Sequence, residues 1–110
     1  MKVVAITPIE KEFVALADAL AQRGLQPRER SLGRLPGLAY YDGRLLVARG
    51  GLGKVQFCVH TQHILDHVDD IGLAVCVGVA GGLLNTLSTG DVVVATATVE
   101  HDFNWKYRQD

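Results

Sequence analysis

The chain is poor in the features that mark secreted, membrane-spanning or nucleic-acid-binding proteins. It has two cysteines in 110 residues, and Cys58 and Cys76 stand in apolar surroundings with neither pairing nor metal spacing. That excludes a disulfide framework and a cysteine metal site, and reads as two small core residues of a reducing compartment. No apolar run approaches the roughly 20 residues that span a bilayer, and the opening stretch Val3 to Ile6 is far too short for a secretory signal. A cytoplasmic location is the expectation, with no membrane partner. Charge of one sign is also lacking: 11 basic and 12 acidic residues are interspersed, for a net charge of -1. No electrostatic footprint for nucleic acid follows from such a balance, so a ligand is expected to be a small molecule held locally in a pocket.

What is present is core-forming material. Hydrophobic residues make up 48% of the chain, enough for one domain, or part of one, with a real core. Val3 to Ile6 is a β-branched run ended by Thr7-Pro8. An amphipathic segment then starts at Glu10 and carries Phe13, Leu16, Ala17 and Leu20 on one face, with Gly24 placed to close it as a left-handed residue. Gln26 to Arg34, followed by Pro36-Gly37, reads as irregular or as an edge strand. Leu38 to Tyr41 and Leu45 to Ala48 flank Asp42-Gly43, a hairpin signal. Gly50-Gly51-Leu52-Gly53 opens a second helix from Lys54 to about Val68.

Ile71 to Val79 is an almost uninterrupted apolar run, which predicts a central strand covered on both faces. Asp91 to Val99 predicts a last strand. The resulting order β-α-βββ-α-β-β predicts an α/β fold with a mixed β-sheet flanked by helices, because hairpins need antiparallel neighbours and helical crossovers give parallel ones. Ligands of such folds lie beyond the carboxyl ends of the strands. Thr7 to Glu12, Gly50 to Gly53 and Gly78 to Gly82 converge on that edge.

These loops carry a resemblance. Met1-Lys2-Val3-Val4-Ala5-Ile6-Thr7-Pro8-Ile9-Glu10-Lys11-Glu12 resembles the opening of the 5′-methylthioadenosine/S-adenosylhomocysteine nucleosidases. Gly51-Leu52-Gly53-Lys54-Val55 is similar to their G-[IL]-G-K-V turn. Gly78-Val79-Ala80-Gly81-Gly82-Leu83 with Gly90-Asp91-Val92-Val93 resembles their G-[ST]-A-G-G-L and G-D-[IV]-V segments, and His101-Asp102 looks like the H-D pair that follows. The four matches stand in the family's order along the whole chain.

The resemblance implies a nucleoside phosphorylase-like fold and hydrolysis of an N-glycosidic bond, with a small-molecule nucleoside as substrate, no cofactor and a homodimer as the assembly. Glu12 matches the catalytic glutamate, whose carboxylate accepts a proton from the attacking water and stabilises positive charge on the ribosyl group. Read without the resemblance, it is an acid in a first helical turn. Ile9 and Leu52 match positions lining the sugar and alkylthio pocket, Gly53 lets the backbone approach the ligand, and Val79, Ala80 and Gly81 match the strand-end turn of the substrate site. Val79 departs from the pattern: the family places Ser or Thr there, and valine has no hydroxyl to hold a water. The related phosphorylases need cations around phosphate, and their R-x-G-[ST] segment would fall at Cys76 to Val79, where neither arginine nor hydroxyl stands.

His60, His63 and His67 share a face of the second helix without a fourth ligand, so no metal is expected. His101, Asp102, Phe103 and Trp105 resemble a flank of the site. The family's domain is about twice this length, and its later segments supply the ribose-binding glutamate, the aromatic that stacks on adenine and the aspartate that protonates it. The expectation is therefore the N-terminal part, residues 1–110, of a single nucleosidase-like domain, inactive by itself and with an exposed sheet edge. The alternatives are a non-catalytic oligomerisation or ligand-sensing module of the same fold, and a phosphorylase or nucleosidase of another nucleoside.

Overall fold

The computed structural model describes residues 1–100; the predicted flank His101 to Trp105 lies outside the described residues. Seven elements follow in order: β1 (Lys2–Thr7), α1 (Glu10–Gln22), β2 (Arg28–Leu32), β3 (Leu35–Tyr41), β4 (Leu45–Arg49), α2 (Lys54–His67) and β5 (Ile71–Cys76). One five-stranded sheet has the order β2-β3-β4-β1-β5. β1 is parallel to both β4 and β5, while β2-β3 and β3-β4 are antiparallel. The sheet is mixed, as the alternation of hairpins and helical crossovers requires.

Strand alternation splits the core into two layers. Val4, Ile6, Leu46, Ala48 and Leu38 face Ile64 and Val68 of the α2 segment. Ala5, Val47, Ala39 and Tyr41 face Phe13 of α1, with Leu16 and Leu20 packed alongside. Helix α1 ends in a Schellman motif: Gly24, at φ +81°, donates to the Ala21 carbonyl at 2.9 Å and Leu25 to that of Leu20 at 3.0 Å. The β3-β4 hairpin turns on Asp42 and Gly43, both at positive φ (48° and 69°), with Arg44 N donating to Tyr41 O at 3.2 Å.

Several expectations are corrected. The apolar run from Ile71 forms the edge strand β5 rather than a central strand, and Gly72 to Cys76 are exposed. The helices lie over β1, β3 and β4; β4 takes the middle place, and β1 runs between two parallel neighbours. Cys58, on α2, and Cys76 are both exposed rather than core residues. Asp91 to Val99 forms no strand: its main chain joins no sheet ladder among the described residues, and a segment without ladder partners leaves most of its N–H and C=O groups to water. Of the two readings open for Gln26 to Gly37, the strand one holds: β2 is the outer strand, and Pro36-Gly37 lies inside β3, one place in from that edge.

The chain divides into a unit from Met1 to Ala80, which holds all seven elements, and a second unit from Gly81. Within the second unit, local turns are closed by Leu87 N on Leu84 O at 3.1 Å and by Asp91 N on Ser88 O at 3.1 Å, with Ser88 N donating back to Asp91 Oδ2 at 2.9 Å.

No helix is long and apolar enough to cross a membrane among the described residues.

Candidate active site

The candidate site is built on the carboxyl end of β1. Because β1, β4 and β5 run parallel, the loops leaving them emerge at one edge. Two backbone bonds fix the flanking loops to the last two residues of β1: Val77 N donates to Ile6 O at 2.9 Å and Gly50 N to Thr7 O at 2.8 Å. Thr7 itself is fully buried and its hydroxyl donates to Ala48 O at 3.2 Å. The end of β1 is thus tied on both sides before it opens into Pro8-Ile9.

Helix α1 begins directly after that opening. Its N-cap, Ile9, is in extended conformation and offers no side-chain acceptor to the first turn. Glu12, at the third helical position, supplies the reciprocal half of a capping box: its Oε2 accepts from Ile9 N at 3.1 Å. Its other oxygen, Oε1, accepts from Val79 N at 3.0 Å. One half-buried carboxylate therefore bridges the helix start and the loop after β5, 67 residues away in sequence. Of the predicted site residues, Glu12, Ile9 and Val79 are brought together directly.

The remaining predicted residues fall nearby in the chain or apart from it. Leu52 and Gly53 lie in the loop that Gly50 anchors to Thr7; the Leu52 side chain is 73% exposed, and Gly53, at φ +91°, is the N-cap of α2. Val79 turns its side chain to solvent, so only its main chain serves Glu12. Ala80 follows as an exposed loop residue, and Gly81 begins the second unit and is described with it.

Two contributors are not among the predicted residues. Gly78 is required by the closeness of the carboxylate: a Cβ there would lie 2.8 Å from Glu12 Oε1 and 3.1 Å from its carboxyl carbon. The signal was a glycine between two valines at the end of an apolar run, which sequence alone also allows as a simple strand end. Arg49, the last residue of β4, makes a two-pronged pair with Glu10, Nε to Oε2 and a terminal nitrogen to Oε1 at 3.0 Å. Its guanidinium sits 3.6 Å from the centre of the Phe13 ring. The Arg49 hydrogen bond holds the Glu10 carboxyl below its ordinary value, and the same bond raises Arg49 further. Glu10 is therefore the electrostatic clasp between β4 and α1.

Two of the three α2 histidines are engaged with the main chain. His63 and His67 stack with ring centres 4.2 Å apart, His63 Nε2 is 3.2 Å from Leu32 O, and His67 Nδ1 is 2.9 Å from His63 O. Among the described residues no group of three or more metal-ligating side chains converges.

Chemically, the arrangement offers a carboxylate with both oxygens oriented by main-chain donors, bordered by glycine turns and by exposed Ile9 and Leu52. Fixed dipoles around a charged group are the usual way a site holds a base in one geometry. The chain is 32% identical to the 5′-methylthioadenosine/S-adenosylhomocysteine nucleosidase of Bacillus pumilus (strain SAFR-032) over 117 aligned positions, which take in 99% of this chain and 48% of the relative. The nucleosidase of the same name from Geobacillus sp. (strain WCH70) gives the same identity and coverage. That from Desulfotalea psychrophila (strain LSv54 / DSM 12343) is 32% identical over 107 positions, 93% of this chain and 42% of the relative. The chain thus spans about half the length of the curated relatives it matches. No solved structure matches it. The family profile described as the phosphorylase superfamily matches residues 2–109, and with the mixed sheet and the loops at its carboxyl edge this chain belongs to that superfamily.

Proposed function

We propose that the whole protein is a nucleosidase that hydrolyses the N-glycosidic bond of purine nucleosides such as 5′-methylthioadenosine and S-adenosylhomocysteine. The observation that carries this reading is the Glu12 carboxylate at the carboxyl end of β1, held by the Ile9 and Val79 amides. Each oxygen keeps a lone pair beyond the one given to its N–H. Water bound there loses a proton to Glu12 as its oxygen bonds to the anomeric carbon, while the carbon–nitrogen bond breaks and its electron pair leaves with the purine. The same negative charge stabilises the ribosyl cation that develops between the two events.

Ile9 and Leu52, apolar and exposed, supply the wall an alkylthio substituent needs. Gly53, Val79 and Ala80 are the positions assigned to the sugar side, through their main chain. Hydrolysis is favoured over phosphorolysis because Cys76 to Val79 carries neither cation nor hydroxyl, and the nearby Arg49 is committed to Glu10. Ribose anchoring and leaving-group protonation fall to segments this chain does not match, so negligible turnover is expected of the 110 residues alone. A cytoplasmic homodimer is the proposed working form.

A second reading, a ligand-sensing module without catalysis, is favoured by one observation: Val79 presents a methyl-bearing side chain where a hydroxyl would hold water. The test is purine release from 5′-methylthioadenosine, S-adenosylhomocysteine and inosine by this chain and by a version extended to the relatives' length, each with and without Glu12→Gln. Adenine release by the extended protein, reduced about 10²–10⁴-fold by the substitution, is expected of a general base. No release by any form, or release indifferent to Glu12→Gln, overturns the proposal.

A further inference from the structure

Strand β2 sorts its charges by face. Arg28 and Arg30 stand opposite Tyr40 and Leu38 of β3, and both partners belong to the core layer on the α2 side. Glu29 stands opposite Ala39, in the layer on the α1 side, where its charge raises both Tyr41 and Arg49. The same period-2 alternation puts Lys2 on the side of Val4 and Ile6, the α2 side again. There Lys2, Gln26, Arg28, Arg30, Tyr40 and Asp42 line an open cleft of about 470 Å³, within the roughly 300–1,000 Å³ of small-molecule sites.

Lys2, Arg28, Arg30 and the Asp42 carboxylate line this cleft, and the Asp70 carboxylate also acts on Lys2, which leaves the two arginines as its least compensated cations, in a chain whose overall charge is -1. Among the described residues neither Arg28 nor Arg30 has a carboxylate partner. Arg30 rests over the Tyr40 ring at 5.5 Å. The Lys2 ammonium donates to Asp69 O at 3.0 Å, which leaves two of its three protons free. The guanidinium groups arise two positions apart on one strand, about 7 Å at the backbone, and each can grip a phosphate with two parallel bonds. Lys2 stands at the amino end of β1, and Arg28 and Arg30 lie three strands away across the sheet on β2, so the cleft shares no residue with the Glu12 site.

We propose that this cleft binds the diphosphate group of a small molecule, with Arg28 and Arg30 each taking one phosphate and Lys2 closing the far side. The Gln26 amide and the Tyr40 phenol add neutral donors, and the Tyr40 ring offers a face for any planar group attached to the diphosphate. The proposal is independent of the nucleosidase reading, since it shares no residue with it.

The test is calorimetric titration of the 110-residue chain with inorganic pyrophosphate and with adenosine diphosphate in low-salt buffer, alongside amide-shift mapping by NMR. Saturable one-site binding is expected, weakened about tenfold for each arginine replaced by glutamine, with shifts confined to residues around Arg28, Arg30, Tyr40 and Lys2. Arg30→Lys retains more affinity than Arg30→Gln. Equal affinity for the two ligands supports a site for the diphosphate alone, and tighter adenosine diphosphate supports a planar group on Tyr40. Failure to saturate with either, equal binding of sulfate, or shifts centred elsewhere on the unsubstituted chain overturns the proposal, and the mapping holds whether or not the variants fold.

Discussion

Replacing Gly78 with alanine should act through Glu12, and a double-mutant cycle can show it. Gly78 has no positive φ, so alanine there introduces no backbone strain. What it introduces is a Cβ 2.8 Å from Glu12 Oε1, a distance real Cβ atoms do not tolerate. The carboxylate has to swing away, and it gives up the 3.0 Å bond from Val79 N. The site is partly solvated, so water replaces some of that bond and the expected loss is at the low end for charged hydrogen bonds, about 1 kcal/mol. Glu12→Ala removes the same bond together with the reach-back to Ile9 and the favourable charge at the helix start, for about 2 kcal/mol in total.

The two losses share one interaction. In the Glu12→Ala background Gly78→Ala should therefore cost close to nothing, a coupling of about 1 kcal/mol. For a chain of this size each such step reads as about 4–8 °C in the thermal midpoint. The assay is thermal unfolding of the four proteins, with the Val79 amide followed by NMR as a direct report on the bond. Additive losses, within about 0.3 kcal/mol, or a Val79 amide unmoved by Gly78→Ala, would refute the claim that the carboxylate is pinned between the two loops.

Two further outcomes are expected. Tyr41 is 1% exposed and its hydroxyl has no partner among the described residues, so Tyr41→Phe should leave the thermal midpoint unchanged or raise it, because a buried donor without an acceptor costs about 1–3 kcal/mol; a fall of several degrees would mean the hydroxyl is paired. Burial and then the Glu29 charge raise the Tyr41 phenol, so its contribution is present below the ordinary value near 10 and is lost as alkali ionises the unfolded chain; Tyr41→Phe should be the more alkali-resistant form in a pH series of unfolding scans. At the acid end, hydrogen bonds to Arg49 and to the amino terminus hold Glu10 and Asp70 below their ordinary values of 4.5 and 3.8. Their share of stability is therefore complete above those values and falls away as pH drops through the folded ones. Glu10→Gln should flatten the acid limb of midpoint against pH, and added salt should shrink the difference between the two proteins; parallel limbs would remove Glu10 from the account.

The sequence by itself determined the local elements, because their causes are local. The apolar runs Val3 to Ile6 and Leu45 to Ala48, the period of Phe13, Leu16 and Leu20, the left-handed Gly24 and the Asp42-Gly43 turn each depend on a few neighbouring residues. The loop motifs at Glu12, Gly51 to Val55 and Gly78 to Leu83 were legible for the same reason, as short strings with fixed spacing. The lateral order of strands was not. An apolar run such as Ile71 to Cys76 has the same composition at the centre of a sheet as at its edge, and what lies beside it is decided by distant chain. Cys58 and Cys76 were misread with it, since small apolar residues carry no mark of the face they will occupy. Only tertiary structure placed Gly78 against Glu12, joined Arg49 to Glu10, and brought Lys2, Arg28, Arg30 and Tyr40 to one cleft. Each of these joins residues from different elements, and such juxtapositions are fixed by packing and register rather than by the residues in between.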